Sequence, residues 1–126
     1  MTTAGQKNEA SAIVQRIGWV LPASAGIEFA EQIEGQDDAA RLIVVMPDMD
    51  WRALLATLPA SDPQQPPFSP EANFHLGPDE GQWQPGKANG LSTAQMPWKG
   101  GAEALNLGVA PAGQGQTRLF VFWHQL

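Results

Sequence analysis

The two histidines of the chain, His75 and His124, are the side chains best suited to acid–base or metal chemistry. Two acids, Asp79 and Glu80, follow the first histidine closely. Imidazole and carboxylate groups bind zinc and serve as general acids and bases. The spacing contains neither HExxH nor HxH, so it favours histidines that form structural hydrogen bonds. The four residues define one alternative function, a small-ligand site or modest enzyme whose pocket lies between the sheet and residues 77–100.

A second pattern, PDMDW, places Asp48 and Asp50 directly after an apolar run. Aspartates spaced in this way hold magnesium in some phosphotransfer enzymes. No P-loop and no GxGxxG accompany them, so we expect Asp48 to cap a helix and Asp50 to lie in its first turn. The chain also lacks GxSxG and cysteine. We therefore predict no catalytic residue, no metal and no cofactor.

Two of the five tryptophans, Trp83 and Trp98, lie among glycines and prolines, in segments that we predict to be loops. A tryptophan in a loop is either a lid folded onto the core or an anchor for a partner, since tryptophan is enriched at binding hot spots. The lid is the favoured interpretation, because the strand face of Phe120 and Phe122 needs a cover. The anchor remains open, and a protein-binding function would depend on it.

The negative charge of the chain is concentrated in one tract. Between Glu28 and Asp50, seven acids and one base, Arg41, give −6, which equals the net charge of the whole chain. Such a surface would steer a basic partner protein. The remaining bases are scattered, which disfavours nucleic acid and anionic membranes. The predicted partner-contact residues are Glu28, Glu31, Glu34, Asp37, Asp38, Trp83 and Trp98.

Hydrophobic periodicity predicts three helices in the first half of the chain. The first begins at Asn8, carries its apolar stripe to Ile17 and ends at Gly18. The second spans residues 25–34, with Ser24 as its cap. A buried strand over residues 41–46 then leads into a third helix over residues 48–58.

The second half is predicted to be mostly β-structure. A proline-rich internal connector covers residues 59–70 and is neither helix nor interior strand. Predicted strands cover residues 73–76, 91–96, 104–109 and 117–125, and residues 110–116 form a hairpin connection between the last two.

The closing segment, RLFVFWHQL, is apolar on both faces of a strand. Leu119, Val121 and Trp123 alternate with Phe120 and Phe122, so both faces need a cover. We therefore expect this strand to be central in the sheet or to lie at an interface. Pairing of the strand across a dimer axis would make the protein a self-associating structural subunit, which is a further alternative.

The 126 residues are expected to form a single domain with a frayed N-terminus over residues 1–7. The predicted fold is α+β, with two or three helices of the N-terminal half packed on a mostly antiparallel sheet that ends in a C-terminal β-hairpin. We see no secretory signal, and the apolar runs are too short to span a bilayer, so we expect a cytoplasmic protein. The leading hypothesis is a non-enzymatic protein-binding module of the immunity-protein, antitoxin or inhibitor kind.

Overall fold

The structure, a computed structural model, describes residues 4–35, 38–57, 76–77 and 79–125, with residues 4–7, 97 and 100 described in their backbone only. The described residues form two α-helices and a five-stranded sheet, which confirms the α+β class. Two short 3₁₀ turns, Pro85–Lys87 and Lys99–Gly101, flank the third strand. In chain order the elements are α1 (Ala4–Ile17), β1 (Gly26–Ile33), β2 (Ala39–Pro47), α2 (Asp48–Ala56), β3 (Ser92–Trp98), β4 (Glu103–Gly113) and β5 (Gln116–Gln125).

The closing strand β5 is the centre of the sheet. The strand order is β1-β2-β5-β4-β3, and every neighbouring pair is antiparallel. Because β5 is hydrogen-bonded to β2 on one side and β4 on the other, it has no free edge. The strand is thus central in the sheet, which is one of its two predicted positions, and because both of its edges are paired within the chain, self-association through this strand gains no support from the structure.

The two faces of β5 are buried in two different cores. Leu119, Val121 and Trp123 face α1 and α2 on what we call the helix face of the sheet. Phe120 and Phe122 lie on the opposite, lid face, against residues 76–77 and 79–91, which we call the lid loop. Burial of a Phe side chain contributes about 2–3 kcal/mol, so both covers stabilise the sheet substantially.

The predicted second helix, residues 25–34, is wrong, because this segment is strand β1. Ile27 and Ala30 are three residues apart, as on one side of a helix, yet they pair with Val44 and Leu42, which are only two apart. A β-bulge at Glu28 inserts the extra residue and brings both apolar side chains to the helix face. The bulge therefore gives a β-strand the three-residue apolar spacing that is typical of a helix.

The other two predicted helices are present with shifted ends. Helix α1 begins at Ala4 rather than Asn8, and Gly18 follows it with the positive φ of 91° expected of a C-terminal glycine. Helix α2 has Pro47 at its N-cap position, and no side chain caps it. The predicted capping role of Asp48 is therefore wrong, and its Oδ1 instead accepts a 2.6 Å hydrogen bond from the Thr117 hydroxyl.

The predicted strands of the second half are longer in the structure. Strand β3 continues to Trp98, and β4 continues to Gly113, so the hairpin to β5 closes with only Gln114 and Gly115. Both have positive φ, 54° and 72°, as a type I′ turn requires. The predicted connector 59–70 and residues 73–75 of the predicted strand 73–76 lie outside the described residues. Within the described ranges, no helix combines the length and apolar character needed to cross a membrane.

Candidate functional site

Three of the four residues predicted for a small-ligand site, Asp79, Glu80 and His124, lie in the part of the chain that the structure describes. Asp79 Oδ1 accepts a hydrogen bond from the Gly86 N–H at 2.9 Å, and the backbone of Glu80 pairs with that of Trp83. His124 is half-buried beside Phe122, with ring centroids 5.3 Å apart. His75 lies outside the described residues. The described part of the chain contains no group of three or more His, Cys, Asp or Glu that could hold a metal ion.

A cavity does lie between the sheet and the lid loop. Its volume is about 370 Å³, and Phe29 and Phe120 of the sheet face Gln82, Gln84 and Lys87 of the loop across it. None of Asp79, Glu80 and His124 lines this cavity. A cavity therefore lies where the alternative ligand pocket was predicted, but the residues that line this cavity are not the predicted ones.

Trp83 is a lid on the core rather than an exposed anchor. The side chain is fully buried, its ring lies edge-on to Phe120, and its indole N–H donates to the Leu76 carbonyl at 2.9 Å. The guanidinium of Arg41 lies 5.8 Å from the centre of its ring. Because the side chain has no exposed surface, the structure supports the lid interpretation of Trp83 and gives no support to its role as a partner contact.

Trp98 occupies a different position, at the end of β3 on the helix face. Its half-buried indole donates to the carbonyl of Ile17, the last residue of α1, at 2.7 Å. The ring lies edge-on to Trp19, with centroids 6.5 Å apart. These contacts join the end of α1 to the edge of the sheet and leave one side of the Trp98 ring to line a cavity.

The predicted acidic surface is interrupted by ion pairs. Arg118 binds Glu28 through two hydrogen bonds of 2.6 and 3.2 Å, Arg16 binds Asp38 at 2.7 Å, and Arg41 lies 3.7 Å from Glu31. Glu34 is exposed, and Asp37 lies outside the described residues. Two of the three cations come from distant parts of the chain, α1 and β5. The surface formed by this tract therefore carries less negative charge than the count of its acidic residues along the sequence suggests.

The same pairs shift the protonation of their members. The hydrogen bond from Arg16 lowers the pKa of the Asp38 carboxyl below its ordinary value of 3.8, with a further lowering from the Arg16 charge. The hydrogen bond to Glu28 raises the pKa of Arg118. Both groups are therefore charged at neutral pH and serve to hold elements together, which is a structural role.

An open apolar cavity lies beside residues 18–25, the segment between α1 and β1, which we call the strap. The cavity has a volume of about 500 Å³. The strap contributes one wall, α2 another, and the end of β3 a third. The apolar residues that line it are Trp19, Val20, Leu21, Pro22, Leu54 and Trp98.

Two large apolar side chains stand in solvent on the two elements, the strap and α2, that line this cavity. Val20, which lines the cavity, is 88% exposed, and Met49, which precedes the lining residue Asp50 on α2, is 79% exposed. Among the described residues, these are the large hydrophobic side chains that are exposed. Exposed apolar surface next to a concave apolar site is typical of a binding surface.

A second cavity, of about 690 Å³, lies on the other side of the strap, against α1. Trp19 and Leu21 line both cavities, and Val14 and Ile27 line the second. The strap contacts the core through Trp19, which is 7% exposed, and through the partly buried side chains of Leu21 and Ala25.

Two polar groups on residues that line the strap cavity have incomplete partners. The carboxylate of Asp50 accepts a hydrogen bond from the Ser24 hydroxyl, and none of the ion pairs in the described part of the chain includes it. The indole N–H of Trp19 is buried without an acceptor. An unsatisfied buried donor costs about 1–3 kcal/mol, so this N–H would be stabilised by an incoming carbonyl oxygen.

The sequence gives little indication of this site, because Trp19, Val20 and Leu21 form a short apolar run that fits a buried core equally well. One signal was present: the run is too short for an interior strand, and Pro22 ends it. An apolar triplet between a helix-ending glycine and a proline has too few backbone partners to be buried completely. Ser24, predicted to cap a helix, instead bonds to Asp50 and fixes the strap against α2.

No protein-family model, no curated protein and no solved structure matches the chain. The fold and the strap cavity are therefore the basis for any functional proposal.

Proposed function

We propose that this chain is a non-enzymatic protein-binding module and that the strap cavity is its contact surface. The observation that carries the proposal is the 88% exposure of Val20 in the lining of an open apolar cavity, with Met49, the neighbour of the lining residue Asp50, 79% exposed. An apolar cavity that is open to solvent and extended by an exposed apolar side chain is typical of a binding surface. Covering each of these side chains with a partner contributes about 1.5–3 kcal/mol.

Trp98 is the predicted contact residue that supports this surface best. It lines the cavity, and it is held in place by the hydrogen bond to Ile17 and the edge contact with Trp19. A tryptophan fixed before binding loses little conformational entropy when the partner arrives, which is why such residues dominate binding energy.

The acidic residues play a secondary role in the proposal. Glu28, Glu31 and Asp38 are neutralised locally by arginines, whereas Glu34 is exposed. The net charge of −6 nevertheless attracts a basic partner over the distance that salt allows, about 8 Å at physiological ionic strength. The acids therefore speed association, and the apolar surface determines how long the complex lasts. The role of an inhibitor, antitoxin or immunity protein stays a prediction.

Site-specific photo-cross-linking in cells that naturally contain the protein tests the proposal. A photoreactive amino acid replaces Val20 or Met49, and the matched control carries it at Gln82, which is exposed on the lid loop. The proposal expects one discrete protein adduct from the first two positions and none from the control. Equal labelling at all three positions, or no adduct at any, would contradict a partner at the strap cavity.

A small-ligand binder is a second candidate, supported by the cavity of about 370 Å³ between the sheet and the lid loop. Arg118, Lys87 and Gln84 supply polar groups beside the aromatic ring of Phe29. A fragment screen followed by amide NMR shifts tests it, with Gln84→Ala as the variant. Shifts that cluster at Phe29 and Lys87 would favour this function, and shifts at Val20 would favour the strap cavity.

A further inference from the structure

We infer that the strap cavity takes an extended polypeptide segment of the partner in which a large apolar side chain is followed directly by Lys or Arg. The inference rests on the proposed function and specifies the chemistry of the segment that binds. Three features of the cavity carry it: its apolar walls, the carboxylate of Asp50, and the unpaired indole N–H of Trp19.

The apolar walls select the first residue of the segment. The cavity of about 500 Å³ is within the range of 300–1,000 Å³ that is typical of ligand pockets. Leu54 and Trp98 form its floor from two different elements, α2 and β3, and Val20 extends one wall into solvent. A large aliphatic or aromatic side chain fills such a site, whereas a polar side chain would lose its hydration there.

The carboxylate of Asp50 selects the neighbouring residue. Asp50 lines the cavity, and its carboxylate accepts a hydrogen bond from the neutral hydroxyl of Ser24. Its negative charge differs in this respect from the charges of Glu28, Glu31 and Asp38, each of which faces an arginine. An ammonium or guanidinium group next to the apolar anchor would complete the pairing, and a carboxylate would be repelled.

The indole N–H of Trp19 favours a polypeptide over a small amine. The N–H is buried, lacks an acceptor, and belongs to a residue that lines the cavity. An extended peptide presents backbone carbonyl oxygens beside its side chains, and one of them is the missing acceptor.

Three blocked hexapeptides that differ at one position test the inference. Each contains Leu followed by Lys, Gln or Glu between Gly and Ser residues, and each is titrated into ¹⁵N-labelled protein at low salt. The Lys peptide is expected to bind about three- to tenfold more tightly than the Gln peptide, as one partly exposed ion pair allows, and the Glu peptide most weakly. The Trp19 indole proton is expected to move downfield when it gains its acceptor.

Two variants separate the charge effect from general binding. Asp50→Asn keeps an acceptor for Ser24 and removes the charge, so the Lys peptide and the Gln peptide should bind this variant with about equal affinity. Glu34→Gln is the matched control, because it removes the same charge from an exposed residue outside the cavity lining, and the preference should remain. Equal binding of all three peptides, no binding of the Lys peptide, or a preference that survives Asp50→Asn would each overturn the inference.

The outcome can be distinguished from failure of the proposed function. A cross-linked partner at Val20 together with peptides that show no charge preference would leave the binding surface intact and remove only the Lys or Arg requirement. A concentration-dependent dimer in sedimentation, abolished by Val20→Glu, would identify a second copy of this chain as the occupant and would overturn the inference.

Discussion

The indole ring of Trp83 stands edge-on against the ring of Phe120, with the centroids 5.7 Å apart and the planes at 85°. This contact closes the lid loop over the face of β5 that the helices do not reach. Trp83→Ala should lower the free energy of unfolding by about 3–5 kcal/mol, because it leaves a large cavity and an unpaired carbonyl at Leu76. Chemical denaturation measures the change. Gln82→Ala, an exposed neighbour, should change it by less than about 0.5 kcal/mol, and equal losses would contradict the lid.

Local sequence patterns were sufficient to predict the helices and strands whose structure depends mainly on residues close in sequence. The strand at residues 41–46 and the helix that follows it carry continuous apolar signals, and both are present as β2 and α2. The double-sided apolar pattern from Leu119 to Trp123 also predicted its own burial, since such a strand is stable only in the middle of a covered sheet.

The wrong prediction of a helix over residues 25–34 arose because a single extra residue shifts the alternation of apolar side chains in this strand. Glu28 is the extra residue of a β-bulge, so Ile27 and Ala30 share a face at a spacing that indicates a helix. A single sequence contains no mark that distinguishes this spacing from a true helical period, because the bulge is defined by its partner strand. Pairing with Val44 and Leu42 therefore decided the structure of this segment.

The candidate site could be predicted only in part, for a similar reason. The glycines and prolines around Trp98 predicted a binding role for this residue, and its side chain does line the strap cavity. Ser24 and Asp50 are 26 residues apart, and Arg118 and Glu28 are 90 apart, so their contacts depend on the fold. Charge counted along the chain therefore overstated the acidic surface, because the arginines that neutralise it arrive from other elements.

Gly108 lies in β4 opposite Phe120 and marks a close approach between the sheet and the lid loop. A Cβ atom at this position would lie 2.5 Å from Leu76 Cδ1 and 3.0 Å from Leu91 Cδ1. Gly108→Ala should therefore lower the free energy of unfolding by about 1–3 kcal/mol through overpacking. Thermal and chemical denaturation measure it. The control, Gly35→Ala, meets nothing within 4 Å and should be neutral or slightly stabilising; the opposite order would contradict the packing of the lid.

The turn of the C-terminal hairpin contains a residue that fits its backbone poorly. Gln114 has a φ of 54°, a conformation that asparagine adopts more readily than glutamine. Gln114→Asn creates the Asn-Gly sequence typical of type I′ turns and should raise the free energy of unfolding by about 0.5 kcal/mol. Gln114→Val should lower it, because a β-branched side chain resists positive φ. A stabilised Val variant in denaturant titrations would contradict the turn type.

The ion pair between Arg16 and Asp38 should make stability depend on pH in the acid range. The pKa of Asp38 is lowered in the folded protein, mainly by the hydrogen bond from Arg16. Its contribution to stability is therefore present above the ordinary pKa of 3.8 and is lost as the pH falls through the lowered folded-state pKa. The melting temperature of wild type should exceed that of Asp38→Asn at pH 6, and the two should converge below that pKa. A constant difference at every pH would contradict the prediction.

Val20 and Met49 should bind apolar probes without contributing to the stability of the fold. Both are largely exposed, so Val20→Glu with Met49→Glu should change the free energy of unfolding by less than about 1 kcal/mol. The fluorescence of Nile red, a neutral dye that brightens on apolar surfaces, should rise with wild type and fall severalfold with the double variant. Gln82→Glu adds the same kind of charge on the lid loop and should leave the dye signal unchanged. Dye binding that survives the double variant would mean that the apolar surface lies elsewhere, because a charged side chain at the mouth of the strap cavity opposes the entry of an apolar molecule.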